Sequence, residues 1–249
     1  MWVEDHVCMC LGVIFSDIAS PIFLSGAIDT WDVSLITDFN TLFYQKSTFN
    51  EDLNSWDTSS VDKMSNMLNG ATAFNGDISS WDTSKVTDMN SCFGAASAFN
   101  RPLTSWDTSK VLGMNLMFYL ATSFNQDLSN FDTSSVQDFD GMFQSASTFQ
   151  GSGLSGWKTN SLSTMKSMFK GAIKFNEDIS SWDVSVVSTF QEAFSGATEF
   201  NRDLTDWASK ITSTPAPFAA FRMFLGTACP ITTPDPDLTA SPKGPFCSP

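Results

Sequence analysis

Histidine is nearly missing from this chain: His6 is the only one in 249 residues. Zinc centres and Ser–His or Cys–His relays draw on that side chain, so neither has material here, and His6 reads as an ordinary cap residue. Basic residues are scarce as well, with 13 Lys and Arg against 27 Asp and Glu and a net charge of −14. A chain this acidic repels nucleic acid and anionic membrane surfaces, and leaves divalent cations and basic partners open. No apolar run reaches membrane-spanning length, and Met1-Trp2-Val3-Glu4-Asp5 lacks the basic start and apolar stretch of a secretory leader. No Asn-X-Ser/Thr sequon occurs, so N-glycosylation is not indicated.

The five cysteines are odd in number and follow no metal-ligand spacing. Cys92 shares a position with Met67, Met117 and Met142 and reads as a buried thiol. Cys8 and Cys10 stand too close for an easy bridge to each other. Cys229 and Cys247 flank a proline-rich tail, where a disulfide would suit an oxidising compartment; the spacing leaves the pairing open.

What the chain has in abundance is repetition. Trp31, Trp56, Trp81, Trp106, Phe131, Trp157, Trp182 and Trp207 recur every 25 residues, with one step of 26 between 131 and 157. A fixed period of this length marks a stack of one supersecondary unit that cannot bury its apolar face alone. Other columns keep the beat: Phe49, Phe74 and Phe99; Leu53, Ile78 and Leu103; Val61, Val86 and Val111; Met64, Met89 and Met114; Ala71, Ala96 and Ala121. Val3, His6, Leu11 and Ile14 stand 25 residues before Ile28, Trp31, Ile36 and Phe39. A degenerate unit therefore begins almost at residue 1, which favours a missing leader over an intracellular chain.

Within one unit, Val61, Met64, Met67, Leu68 and Ala71 recur at three and four, which predicts a short helix. Asp57-Thr58-Ser59 offers cap acceptors ahead of it, and Gly70 stands where it would stop. Phe74 to Trp81 reads as a turn and a short strand with Ile78 and Trp81 inward. The expected fold class is α/β: a curved solenoid with one short parallel strand and one short helix per 25-residue coil.

The run Val86 to Phe99, followed by Leu103 to Ser109, resembles the repeat of BspA-like leucine-rich-repeat surface proteins, a unit abundant in mycoplasma lipoproteins. The resemblance covers about residues 24–207. It implies a leucine-rich-repeat-type solenoid, secreted or exposed at a cell surface, used for adhesion or partner binding. It implies no catalytic residues.

One solenoid domain is expected over 1–229, with a degenerate coil at about 1–24, regular coils at about 25–207 and a cap at about 208–229. Eight of ten prolines follow residue 214, so 230–249 reads as a tail, either strapped over the last coil or serving as a linker. Open sheet edges at terminal coils invite pairing, so an oligomer through those coils is a further expectation.

Two acidic columns carry the candidate chemistry. Asp32, Asp57, Asp82, Asp107, Asp132 and Asp183 follow the aromatic position. They read as turn and cap acceptors or, alternatively, as a Ca²⁺ ladder between coils. Asp52, Asp77, Asp127, Asp178 and Asp203 read as solvated turn residues or an acidic strip facing a basic protein or glycan partner. The Asn column from Asn50 to Asn201 reads as structural, satisfying turn backbone groups from within. The Thr/Ser pairs read as caps, or as a flat lattice facing ice or mineral. Gln150 to Lys158 breaks the pattern with one extra residue, as a bulge or as a partner-facing notch around Lys158. The function expected is a non-enzymatic, surface or secreted interaction module; cation or lattice binding is the alternative, and no cofactor beyond calcium is indicated.

Overall fold

The computed structural model describes residues 27–212, 219–231, 235–240 and 243–249. The degenerate coil expected at 1–24, with His6, Cys8 and Cys10, lies outside them.

Successive units stack column upon column. Parallel bridges join Asp38 to Lys63, Lys63 to Asp88, Asp88 to Gly113, and onward through Asp138 and Thr164 to Thr189. The ladder is one residue wide and runs across the coils, each contributing one place. Inside, the aromatic columns lie face to face: Trp56 on Trp81 at 6.2 Å, Trp81 on Trp106 at 6.3 Å and Trp157 on Trp182 at 6.1 Å. Phe93, Phe118, Phe143, Phe169, Phe194 and Phe224 form a second stack at 5.4 to 5.8 Å. Parallel rings at such separations are offset, which relieves the repulsion of a face-centred sandwich. Val61, Met64, Met67, Leu68, Ala71, Phe74 and Ile78 are fully buried, as are their counterparts in the following coils.

The expected helix does not form. Over 61–71 the amides of Met64, Asn66, Leu68 and Gly70 donate to the carbonyls of Asp88, Asn90, Cys92 and Gly94 in the next coil, at 2.8 to 3.0 Å. The amides of Met67, Asn69 and Ala71 bond back three residues instead. Asn66 (φ 56°) and Gly70 (φ 78°) are left-handed, and such residues flip the chain out of any helix. The unit is thus two tight turns, 64–67 and 68–71, with alternate amides aimed along the stack. Both ends of each turn point inward, which reproduces the three-and-four spacing of a helical face. The only α-helix among the described residues is α1 (Trp207–Lys210), beside 3-10 turns at Ile28–Thr30 and Leu154–Gly156.

The expected strand does not form among the described residues either, which carry only isolated bridges. Trp81 donates its amide to Ile78, so these inward residues close a turn and do not alternate along a strand. The bridge ladder lies between Val61 and Met64, inside the segment read as helical.

The extra residue near 151 is absorbed locally. Gly151 (φ 102°) and Gly153 (φ 90°) turn the chain, and a Cβ on Gly153 would sit 2.3 Å from the Ser129 nitrogen. Trp157 keeps its place in the stack, 6.5 Å from Phe131.

At the far end, residues 219–225 accept the outgoing amides of Phe190, Glu192, Phe194 and Gly196. Residues 243–249 fold over the last coil: Leu204 donates to the Cys247 carbonyl at 2.9 Å, and Phe246 meets the edge of Trp207. Cys229 and Cys247 are joined in a disulfide. Among the described residues, no helix is long and apolar enough to cross a membrane.

Candidate functional site

Both acidic columns are built by the same local device. Asp57 accepts the amide of Ser59 at 3.0 Å, Asp82 that of Ser84 at 2.9 Å and Asp107 that of Ser109 at 2.9 Å. Asp32, Asp132 and Asp183 do the same with Ser34, Ser134 and Ser185. Each is an Asx turn, the preference that places Asp and Asn in such loops. The serine hydroxyl, with its amide second, holds the carboxyls of Asp32, Asp57, Asp107, Asp132 and Asp183 below the ordinary value of 3.8. For Asp82 the amide is the larger cause.

The second column repeats this. Asp52, Asp77, Asp127, Asp178 and Asp203 accept the amides of Asn54, Ser79, Ser129, Ser180 and Thr205. The carboxyls of Asp77, Asp178 and Asp203 are lowered by those amides first and the neighbouring hydroxyls second. Lys158 stands in the first column's place and approaches Asp132 at 3.8 Å, with the lysine exposed and the aspartate partly buried. Among the described residues, no group of three or more acidic, cysteine or histidine side chains converges as a metal would require.

The threonines of the Thr/Ser pairs are buried, while Ser59, Ser84, Ser109 and Ser134 are not. Thr58, Thr83, Thr108 and Thr133 are at most 2% exposed. Their hydroxyls donate inward to the carbonyls of Asp82, Asp107, Asp132 and Lys158 in the next coil. Val33 and Val184 take the same buried position. A column that accepts valine inside the core presents nothing to ice or mineral.

The Asn ladder is structural but lies outside, not within. Asn50 accepts the amide of Asn75, Asn75 that of Asn100, Asn100 that of Asn125 and Asn125 that of Gln150. Asn50 and Asn100 are solvent-exposed.

A cleft of about 250 Å³ opens on the bridge-ladder face, away from the irregular segment at 150–158, lined by Asn115, Leu116, Asp138, Asp140, Gln144 and Lys166 among others. One glycine, Gly141, lines it. Gly113, on the neighbouring coil, takes a ladder place where other coils carry Asp38, Lys63, Asp88 or Thr164, and faces the Asn90 side chain. Gly141 (φ 60°) takes a left-handed place held elsewhere by Thr41, Asn66, Ser91 and Leu116. Asp140 Oδ1 accepts the Thr164 hydroxyl at 2.5 Å and the Lys166 amide at 2.7 Å. Burial is the larger influence and pushes the Asp140 carboxyl up. Asp138 accepts the Asp140 amide through Oδ1, and its Oδ2 lies 3.4 Å from the Asn115 amide nitrogen.

Column reading passed over these residues because it looked for what repeats. The signal was the exception: Asp140 in a column of Asn40, Ser65, Asn90 and Asn115, followed at once by Gly141.

No curated protein and no solved structure is matched by the chain. A family profile matches twice, over residues 13–131 and 121–227, and so across most of the length. On that coverage the chain belongs to the repeat family described as Mycoplasma protein of unknown function, DUF285.

Proposed function

We propose that this chain is a non-enzymatic interaction module, secreted or displayed at a cell surface, which binds a basic protein or glycan along its acidic repeat face. One observation carries the reading: two columns of carboxylates, about one of each per coil, held in place by Asx turns. Those with depressed titration stay ionised at neutral pH, and the turns spare the partner the cost of ordering them. Several other polar side chains of the unit join coils, among them Thr58, Thr72, Asn75 and Ser80. The Cys229–Cys247 bond supports an oxidising compartment. The BspA-like, leucine-rich-repeat relationship and an adhesive role are part of the same proposal, supported by the repeat pattern.

The test uses immobilised polylysine and an uncharged polypeptide as probes. The Asp57→Asn/Asp82→Asn/Asp107→Asn variant keeps an acceptor oxygen in each turn and removes three charges. Salt-sensitive capture by polylysine, reduced severalfold in the variant, is the expected outcome. Equal capture of variant and parent at low salt would sink the acidic-face reading.

A further inference from the structure

We infer that the cleft between Asp138, Asp140 and Lys166 is a socket for one lysine or arginine side chain of a partner protein. This deepens the proposed interaction role, and rests on it for the kind of partner.

The argument begins with charge along the bridge ladder. At its start Asp38 is paired with Lys63 in the next coil at 3.6 Å. Further along, the ladder reads Asp88, Gly113, Asp138, Thr164, so the acids recur and no lysine follows either. Gly113, the ladder place after Asp88, offers no cation to pair with it, and the Asn90 side chain lies against it, 2.7 Å from where a Cβ would stand. Gly141, left-handed at φ 60°, lines the cleft with no side chain of its own, and a Cβ there would press on the Leu116 wall at 2.5 Å.

The lining suits an alkyl chain ending in a cation. Leu116, 37% exposed, forms one wall. Such a leucine covers the methylene stem of Lys or Arg, while the charged head seeks carboxylates. Asp138 and Asp140 supply them, and Asn115 and Gln144 add amide oxygens to accept the remaining N–H groups. The only cation in the lining is Lys166. It makes no ion pair within 4.0 Å among the described residues, whereas Lys63, Lys158, Lys170 and Lys174 each have an acidic partner. Asp140 is half-buried and holds Thr164 and Lys166 through one oxygen, leaving Oδ2 for a ligand. A second carboxylate within two residues raises the local negative potential that an incoming cation would relieve.

The substitutions that test this have precedents in the chain. Asp140→Asn installs the residue found in the same column at Asn40, Asn90 and Asn115, and keeps the acceptor for Thr164 and Lys166. Gly141→Asn installs the residue that takes φ 56° at Asn66, and fills the cleft. The probes are acetyl-Gly-Arg-Gly-amide, its lysine analogue and the uncharged citrulline analogue. They are titrated into the isotope-labelled full chain while amide signals are followed by NMR. The expected result is saturable shifts centred on Asn115, Gly141 and Gln144 with the cationic probes and none with citrulline. Asp140→Asn and Gly141→Asn weaken binding about tenfold or more, and Lys166→Gln tightens it. Shifts scattered over all coils, or insensitivity to Asp140→Asn and Gly141→Asn in folded protein, overturn the socket. So does weakening by Lys166→Gln, which would mean an anionic ligand. The same variants on polylysine separate the two proposals. Loss only in Asp57→Asn/Asp82→Asn/Asp107→Asn leaves the acidic face standing without the socket. Loss only in the cleft variants leaves the socket standing without the face.

Discussion

Asn130 donates its side-chain amide to the carbonyl of Leu103 at 3.0 Å, the atom an indole would reach if position 131 were tryptophan. Elsewhere the tryptophan column seals that carbonyl itself: Trp81 Nε1 donates to Leu53 at 2.9 Å, Trp106 to Ile78 at 3.2 Å and Trp182 to Leu154 at 2.9 Å. The Phe131 ring has no N–H, and the neighbouring Asn130 side chain supplies one. The same amide also reaches the Trp106 carbonyl.

Asn130→Ala is therefore expected to destabilise the chain by about 0.5–1.5 kcal/mol, the net worth of an ordinary hydrogen bond, because the Leu103 carbonyl keeps the Trp106 backbone amide. Asn130→Ala/Phe131→Trp should regain much of the loss, because the indole restores the column's own donor. Denaturant unfolding of the single and double variants measures both. Equal loss in the two would refute the exchange.

Acid should unfold the stack. Asp57, Asp82, Asp107, Asp132 and Asp183 titrate below 3.8 when folded, so their contribution is fully present above that value. It is lost as pH falls through the depressed folded values. Asp140 runs the other way: its carboxyl is raised by burial, so its ionisation costs stability as pH rises above 3.8. Many lowered groups outweigh one raised group. The melting midpoint is expected to hold from pH 7 to about 4.5 and then to drop. In Asp57→Asn/Asp82→Asn/Asp107→Asn the drop should be shallower.

Breaking the Cys229–Cys247 bond by Cys247→Ala frees an 18-residue separation. Chain-entropy arguments put the cost at about 3 kcal/mol, reduced where the cap unfolds alone. A calorimetric scan should show a lower midpoint. An unchanged one would mean that Phe246 and the Leu204 bond hold the cap unaided.

Calcium at millimolar concentration is expected to leave the midpoint unchanged. Each carboxylate of the ladder already spends an oxygen on its own turn, and no three converge among the described residues. A concentration-dependent rise would reveal a bound ion by mass action.

The inward columns could be read from the sequence because burial imposes one residue type at one place in every coil. Val61, Met64, Leu68, Ile78 and Trp81 are all buried. The backbone between them was not legible. Residues at three and four face inward in a helix and also at the ends of consecutive tight turns, so the apolar pattern is degenerate between the two. Left-handed residues broke the tie, and many of them are not glycine: Thr41, Gln45, Ser91, Ala95, Leu116 and Leu120 all have positive φ. Inter-coil hydrogen bonds hold them there, a tertiary effect that local propensity does not encode. Thr58 and Thr83 were misread for a similar reason. A threonine after Asp is a common cap, and only the neighbouring coil shows that its hydroxyl points inward.

Amides run both ways along the stack: Met64, Asn66, Leu68 and Gly70 donate to the following coil, while Asp62, Ser65, Ala73, Asn75 and Ser80 donate to the preceding one. Each coil therefore needs acceptors on both of its faces, and the forward-pointing amides from Phe190 to Gly196 find theirs at 219–225. Arg222 presents one such outgoing amide, and the Asp235 carboxylate accepts it at 2.5 Å. A carboxylate of the tail thus takes the acceptor role that a backbone carbonyl of the next coil plays elsewhere in the stack.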